Sequence, residues 1–163
     1  MLFRSQDGSI GLPAYHEFVR KWGMWVRVGA QGAVLQATPM RRYSGNWLQP
    51  AVVATSPCDA VAALRAGGQA PKRVGWSATH DGGQSWPLDS GDATLDLPNP
   101  DSSVAMIRLS DGSLLMACNP IEHGRNRLQL FRSPDDGASW KASRLIEAGG
   151  EGDEFSYPAL LQD

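Results

Sequence analysis

Two stretches of this chain have the same pattern: Thr79-His80-Asp81-Gly82-Gly83-Gln84-Ser85-Trp86 and Ser133-Pro134-Asp135-Asp136-Gly137-Ala138-Ser139-Trp140. Both read S/T-x-D-x-G-x-x-W, and they lie 54 residues apart. Each residue type suits a tight hairpin. An Asp side chain accepts from turn N–H groups, a Gly tolerates positive φ, and a Trp can plug the space between neighbouring sheets. These roles pick out Thr79, Asp81, Gly83 and Trp86, and Ser133, Asp135, Gly137 and Trp140, as structural residues. Asp135-Asp136-Gly137 has too few ligands for a calcium loop, and Cys58 and Cys118 lack zinc-site spacing.

The register extends outward from this motif. A slide of 54 places Lys72–Gly83 on Asn126–Gly137, and a slide of 53 places Ala60–Arg65 on Ser113–Cys118 and Gln49–Ala54 on Ser102–Ile107. A further 54 carries Ser102 to Ser156, and Asp7–His16 overlays Asp111–Pro120 at 104, two periods of 52. Within one unit, the runs 104–109, 113–118, 127–133 and 139–146 are short, apolar or alternating, and separated by turn residues. Four such runs make an antiparallel meander. No 10–15-residue segment has helical periodicity with caps.

Four-stranded units of about 50 residues are the requirement of a β-propeller blade. The expected fold is therefore all-β, with about three four-stranded antiparallel blades near 1–46, 47–97 and 98–154, and 155–163 as the first strand of a further blade. Propellers have about 4–8 blades. The chain thus predicts a partial ring, completed by remaining blades or by a second copy of itself.

Bulk properties narrow the function classes. The 163 residues are 42% apolar and 20% charged, enough for a real core. Fifteen basic against 17 acidic residues, with no Lys/Arg run, argue against a nucleic-acid surface. No run approaches the ~20 apolar residues of a membrane span, and MLFRSQDGS has no secretory h-region. Localisation stays open. Both cysteines are expected as buried thiols behaving as small hydrophobes.

The repeated motif is the Asp box, and the whole chain resembles the sialidase (neuraminidase) superfamily of six-bladed propellers. The resemblance implies a tyrosine nucleophile in a context similar to A/S-Y-S-x-L, which puts Tyr157 of Phe155-Ser156-Tyr157-Pro158-Ala159-Leu160 in that role. A neutral phenol can approach an anomeric carbon bearing a carboxylate, where an Asp or Glu would be repelled. It also implies an arginine clamp on the substrate carboxylate, since a guanidinium bonds a carboxylate bidentately and stays charged. Ala60–Gly68 supplies Arg65, and His123–Leu130 supplies Arg125, with Arg127 as its competitor. In the repeat register Arg65 overlays Cys118, and Arg125 overlays Pro71, so the blade template requires neither arginine. Leu12–Phe18 resembles a stretch that contributes aromatic contacts to the sugar, implying Tyr15 as a substrate contact. From the residues alone, Tyr157 reads as a buried inner-strand aromatic with its hydroxyl bonded, and the arginines as solvated turn residues.

Departures from the family pattern matter too. Gln49 stands where the family has the glutamate partner of its tyrosine, and an amide cannot act as a base. Glu17 and Glu154 are the alternatives, although Glu154 is expected on the opposite strand face from Tyr157. The first clamp arginine and the aspartate acid/base belong to blades outside this chain. Asp101, Asp153 and His123 lie near strand ends, and none is identified as the acid. The resemblance thus implies part of an exo-acting glycoside hydrolase releasing terminal sialic or related nonulosonic acid, needing no cofactor or metal, with the isolated chain inactive or very weak. The alternatives are a non-catalytic Asp-box propeller binding glycan or protein, or a truncated product folding as a dimer of half-rings.

Overall fold

Among the described residues, turns separate twelve short strands. The computed structural model describes residues 3–4, 7–19, 21–40, 46–67, 72–87 and 94–162. The first sheet comprises β1 (Phe3–Arg4), β2 (Ile10–His16), β3 (Trp22–Val28) and β4 (Val34–Pro39). The second comprises β5 (Trp47–Ala54), β6 (Ala60–Ala66), β7 (Arg73–Thr79) and β8 (Thr94–Pro98), and the third β9 (Ala105–Arg108), β10 (Leu114–Cys118), β11 (Arg127–Ser133) and β12 (Lys141–Ala148). Strand order within each sheet follows the chain and the pairings are antiparallel, the meander of a propeller blade. Among the described residues there is no helix, and the three sheets do not close into a ring.

The middle blade shows why the sheets stack. Side chains alternate across a strand, and in β6 both sets are buried. Ala60, Ala62, Leu64 and Ala66 join Trp25, Met40, Trp47 and Trp86 in a core shared with the first blade. Val61 and Ala63 face the opposite way, into a core with Val53, Val104, Met106, Leu114, Met116 and Phe131 shared with the third. Small alanines on both faces leave room for the large neighbours, so the blades interdigitate as close-packed layers.

The Asp box locks one blade to the next. Within it, Thr79 Oγ1 donates to Asp81 Oδ1 (2.8 Å) and accepts from the Gly83 N–H (3.1 Å), while the Ser85 N–H donates to Asp81 Oδ1 (2.9 Å). The second box repeats this with Ser133, Asp135, Gly137 and Ser139. Burial alone would raise the Asp81 pKa, but the hydrogen bonds from Ser85, Thr79 and the turn backbone outweigh it and bring the carboxyl down to about 2. Trp86 then packs on Trp25 of the preceding blade (ring centroids 5.9 Å apart), and Trp140 on Trp76 (6.0 Å). Gly83 (φ +84°) and Gly137 (φ +95°) sit directly against those same indoles, where a Cβ would collide.

A second periodic device joins strands one to three of each blade. Asp7, Asp59 and Asp111 recur at 52-residue steps in the first hairpin turns. Each meets a basic side chain at the end of the third strand: Arg27 (2.7 Å), His80 (2.8 Å) and Arg132 respectively. Cys118 is buried, where burial pushes its thiol up to about 12. Cys58, expected to be buried, is instead exposed, because it occupies the β5–β6 hairpin turn rather than a strand.

Residues 155–162 form no strand. A strand exists only through ladder partners, and among the described residues this segment's neighbourhood supplies just one parallel bridge, Arg125↔Glu154. Asp163, the last position of the strand expected there, lies outside the described residues, as does Pro71.

Candidate functional site

The site begins with a break in the β5–β6 ladder. Leu48 pairs with Arg65 and Ala51 with Ala63, so Gln49 and Pro50 together oppose Leu64. This is a β-bulge, with Gln49 in the left-handed region at φ +46°. The bulge brings the Gln49 amide to Arg65, whose Nη1 donates to Gln49 Oε1 at 3.0 Å.

Arg65, with 11% of its side chain exposed, donates from Nε to Asp101 Oδ1 at 2.7 Å. Burial works against its charge, but the Asp101 hydrogen bond and charge outweigh burial. The nearby Tyr157 oxygen adds to this, and the pKa ends above the usual arginine value. Asp101 itself has φ +64°. It is presented by a turn in which buried Asn99 imitates a backbone: its Nδ2 donates to Ser102 O (2.8 Å) and its Oδ1 accepts from the Ser102 N–H (3.1 Å).

Asp101 also reaches the next blade, where its main-chain oxygen accepts from Arg125 Nη2 at 2.9 Å. Arg125 Nη1 donates to Glu154 Oε1 at 2.7 Å, and its guanidinium lies 5.7 Å from the Tyr157 ring centroid, within cation–π range. Hydrogen bonds from Ser156 and Arg125, reinforced by the arginine's charge, hold the Glu154 carboxyl below its ordinary range. Tyr157 has φ +57° and is 57% exposed, so it is not a buried strand aromatic.

One buried amide brings the last two elements together. Asn119, at 0% exposure just past β10, donates from Nδ2 to Arg127 O (2.6 Å) and Phe155 O (2.8 Å). The Phe155 N–H in turn donates to Arg125 O at 2.8 Å. An open cleft of about 620 Å³ borders Arg125, lined also by His123, Asn126, Glu151, Asp153 and Glu154.

The structure thus brings together Gln49 of β5, Arg65 of β6, Arg125 of the β10–β11 connection and Tyr157 of the segment after β12. Arg125 is the one of the 125/127 pair in the cluster; Arg127 lies exposed on β11, paired with Ala148. Tyr15 is 44% exposed on β2 and makes no hydrogen bond, ion pair or ring contact with this cluster among the described residues. Glu17 pairs at 4.0 Å with Lys21. Asp153 caps its own turn by accepting from the Gly150 N–H (2.8 Å), and His123 Nδ1 lies 3.5 Å from Lys72 Nζ. Glu154 is not placed by strand alternation, because no strand forms there; it binds Arg125 and the Ser156 hydroxyl.

Two residues central to the geometry were not legible as such. Asp101 stood out only as an ionisable group, although it contacts both arginines. Asn119 carried no motif; its only signal is a polar side chain directly after the apolar run 114–118.

Three four-stranded antiparallel sheets in chain order, two of them closed by an Asp box, have the fold of a sialidase-type β-propeller, of which the described residues form three blades. The chain belongs to the BNR repeat-like domain family, which matches it over residues 1–163. Among solved structures it is similar to the Hadza microbial sialidase Hz136, with TM-score 0.72 and 18% identity over 90% of this chain and 29% of that one. It is also similar to NanB sialidase from Streptococcus pneumoniae, as the K499G mutant (TM-score 0.67) and as NanB plus Optactamide (0.66), each at 10% identity over 96% of this chain and 24% of that one. At these identities the likeness is one of fold, and the chain spans less than a third of either protein. No curated protein matches it.

Proposed function

We propose that this chain forms part of a site that holds the carboxylate of a sialic or related nonulosonic acid at the end of a glycan, through Arg65 and Arg125 beside Tyr157. The carrying observation is the convergence of Arg65, Asp101, Arg125 and Tyr157, with Arg125 over the tyrosine ring. Guanidinium groups held by fixed acceptors are pre-aimed, so little ordering remains when an anion binds. As part of a glycoside hydrolase, Tyr157 would attack the anomeric carbon. The rest of such a pocket would come from further propeller blades or a second copy of the chain, and the chain alone is expected to release little or no sugar.

A specific observation favours a second reading, a glycan-binding propeller without catalysis. Gln49 is engaged with Arg65, and among the described residues no carboxylate is hydrogen-bonded to the Tyr157 hydroxyl. A phenol without a base is a poor nucleophile at neutral pH.

Titration with N-acetylneuraminic acid tests the site. Arg65→Ala and Arg125→Ala should each weaken binding by about 10- to 150-fold, the loss of a charge-assisted hydrogen bond. Binding equal to wild type in both variants overturns the proposal. Release from a fluorogenic sialoside, measured with Tyr157→Phe as the comparison, separates hydrolase from binder: release that depends on Tyr157 excludes the second reading.

A further inference from the structure

The cluster is already electrically balanced. Arg65 is paired with Asp101 and Arg125 with Glu154, two cations against two carboxylates. An incoming anion therefore adds an unbalanced charge unless one resident carboxylate gives way. The two are not equally held. Asp101 is the ion partner of an arginine that is 11% exposed, and its main chain is fixed by the Asn99 turn, so its departure would strand a nearly buried cation. Glu154 is 56% exposed and held by two contacts, Arg125 Nη1 and the Ser156 hydroxyl, in a segment without ladder pairing beyond a single bridge.

Arg125 has the matching asymmetry. Its Nη2 is committed to the main-chain oxygen of Asp101, which cannot leave without unmaking that turn. Its Nη1 is committed only to a mobile class of group, an exposed side-chain carboxylate. Glu151 and Asp153 line the same cleft and add like charge against any further anion.

We propose that Glu154 is a resident stand-in for the ligand: its carboxylate occupies the Nη1 position of Arg125 that an acidic sugar's carboxylate takes, and it is displaced on binding. The inference rests on the reading of Arg125 as a carboxylate-binding residue. Glu154 then sets affinity by competition, keeping Arg125 aimed while the site is empty of sugar and admitting only an anion able to replace it.

The test is titration of the whole chain with N-acetylneuraminic acid and, separately, its methyl ester. Removing an exposed ion-pair competitor should tighten the acid's binding by roughly two- to fivefold in Glu154→Gln and leave the uncharged ester unchanged. Ser156→Ala, which loosens Glu154 without touching Arg125, should move affinity in the same direction by less. If Arg125→Ala loses binding while Glu154→Gln binds the acid no better than wild type, Glu154 merely positions Arg125 and the inference is overturned with the functional reading intact. If Arg125→Ala binds as wild type, or no variant binds, the functional reading itself falls and takes the inference with it.

Discussion

Five non-glycine residues among those described have positive φ, and three of them are Gln49, Asp101 and Tyr157. Each such conformation costs on the order of 1–3 kcal/mol and persists only where surrounding contacts over-determine it. Here those contacts are the Arg65 and Arg125 hydrogen bonds and the Asn119 tie. Gln49→Gly should therefore change stability by less than about 1 kcal/mol in urea unfolding, because relief of the left-handed backbone offsets the lost bond to Arg65. The same variant should bind an acidic sugar more weakly, since Arg65 loses an orienting acceptor; a large loss of stability would show that Gln49 is not strained. Asn119→Ala should cost about 1–3 kcal/mol, measured the same way, because the Arg127 and Phe155 carbonyls lose their shared donor in a buried place.

At the scale of the element, the Asp box is both a turn and a fastener, and its two glycines separate these roles. Gly82 (φ +71°) has open space where a Cβ would go, whereas Gly83 (φ +84°) lies against the Trp25 indole. Gly82→Ala should cost only the left-handed backbone, about 1–2 kcal/mol. Gly83→Ala adds overpacking against an indole that Trp86 also holds, for roughly 2–4 kcal/mol in total. Equal losses in the two would mean that the inter-blade contact contributes nothing. The box also sets acid sensitivity. With the Asp81 carboxyl brought down to about 2 from 3.8, the stability it contributes is complete above about pH 4 and is lost as pH falls through 2. Urea midpoints between pH 4 and 2 should accordingly fall more steeply for wild type than for Asp81→Asn.

For the whole molecule, the middle blade is covered on both faces and the outer two are not. On the first blade Val34 and Leu35 are exposed, as are Phe18 and Val19 beside it, and on the third every residue of β12 is exposed, Leu145 and Ile146 included. An outer strand with exposed apolar side chains is a site of association. The chain should show concentration-dependent self-association in sedimentation velocity, and Val34→Lys with Leu35→Lys should shift it toward monomer. Unchanged sedimentation would rule out this face. The first blade's own third hairpin departs from the box. Val28-Gly29-Ala30-Gln31-Gly32-Ala33-Val34-Leu35 has the box's length and its positive-φ glycine, Gly32, but neither the Asp nor the Trp.

What the sequence determined by itself was everything carried by local, repeated chemistry. The 53–54-residue register, the S/T-x-D-x-G-x-x-W turns and the alternating runs specify hairpins, and stacked hairpins of that length make propeller blades. The Thr79, Asp81, Ser133 and Asp135 side chains each bond within a few residues of themselves. The site depended on contacts between residues far apart in the chain. That Arg125 and not Arg127 joins Arg65, that Asp101 holds both, and that Glu154 neutralises one of them follow from bringing 49, 65, 101, 119, 125 and 154–157 to one place. No local pattern encodes such a meeting. It arises from blade stacking, a bulge and three unfavourable backbone conformations, all of which only the folded chain can sustain.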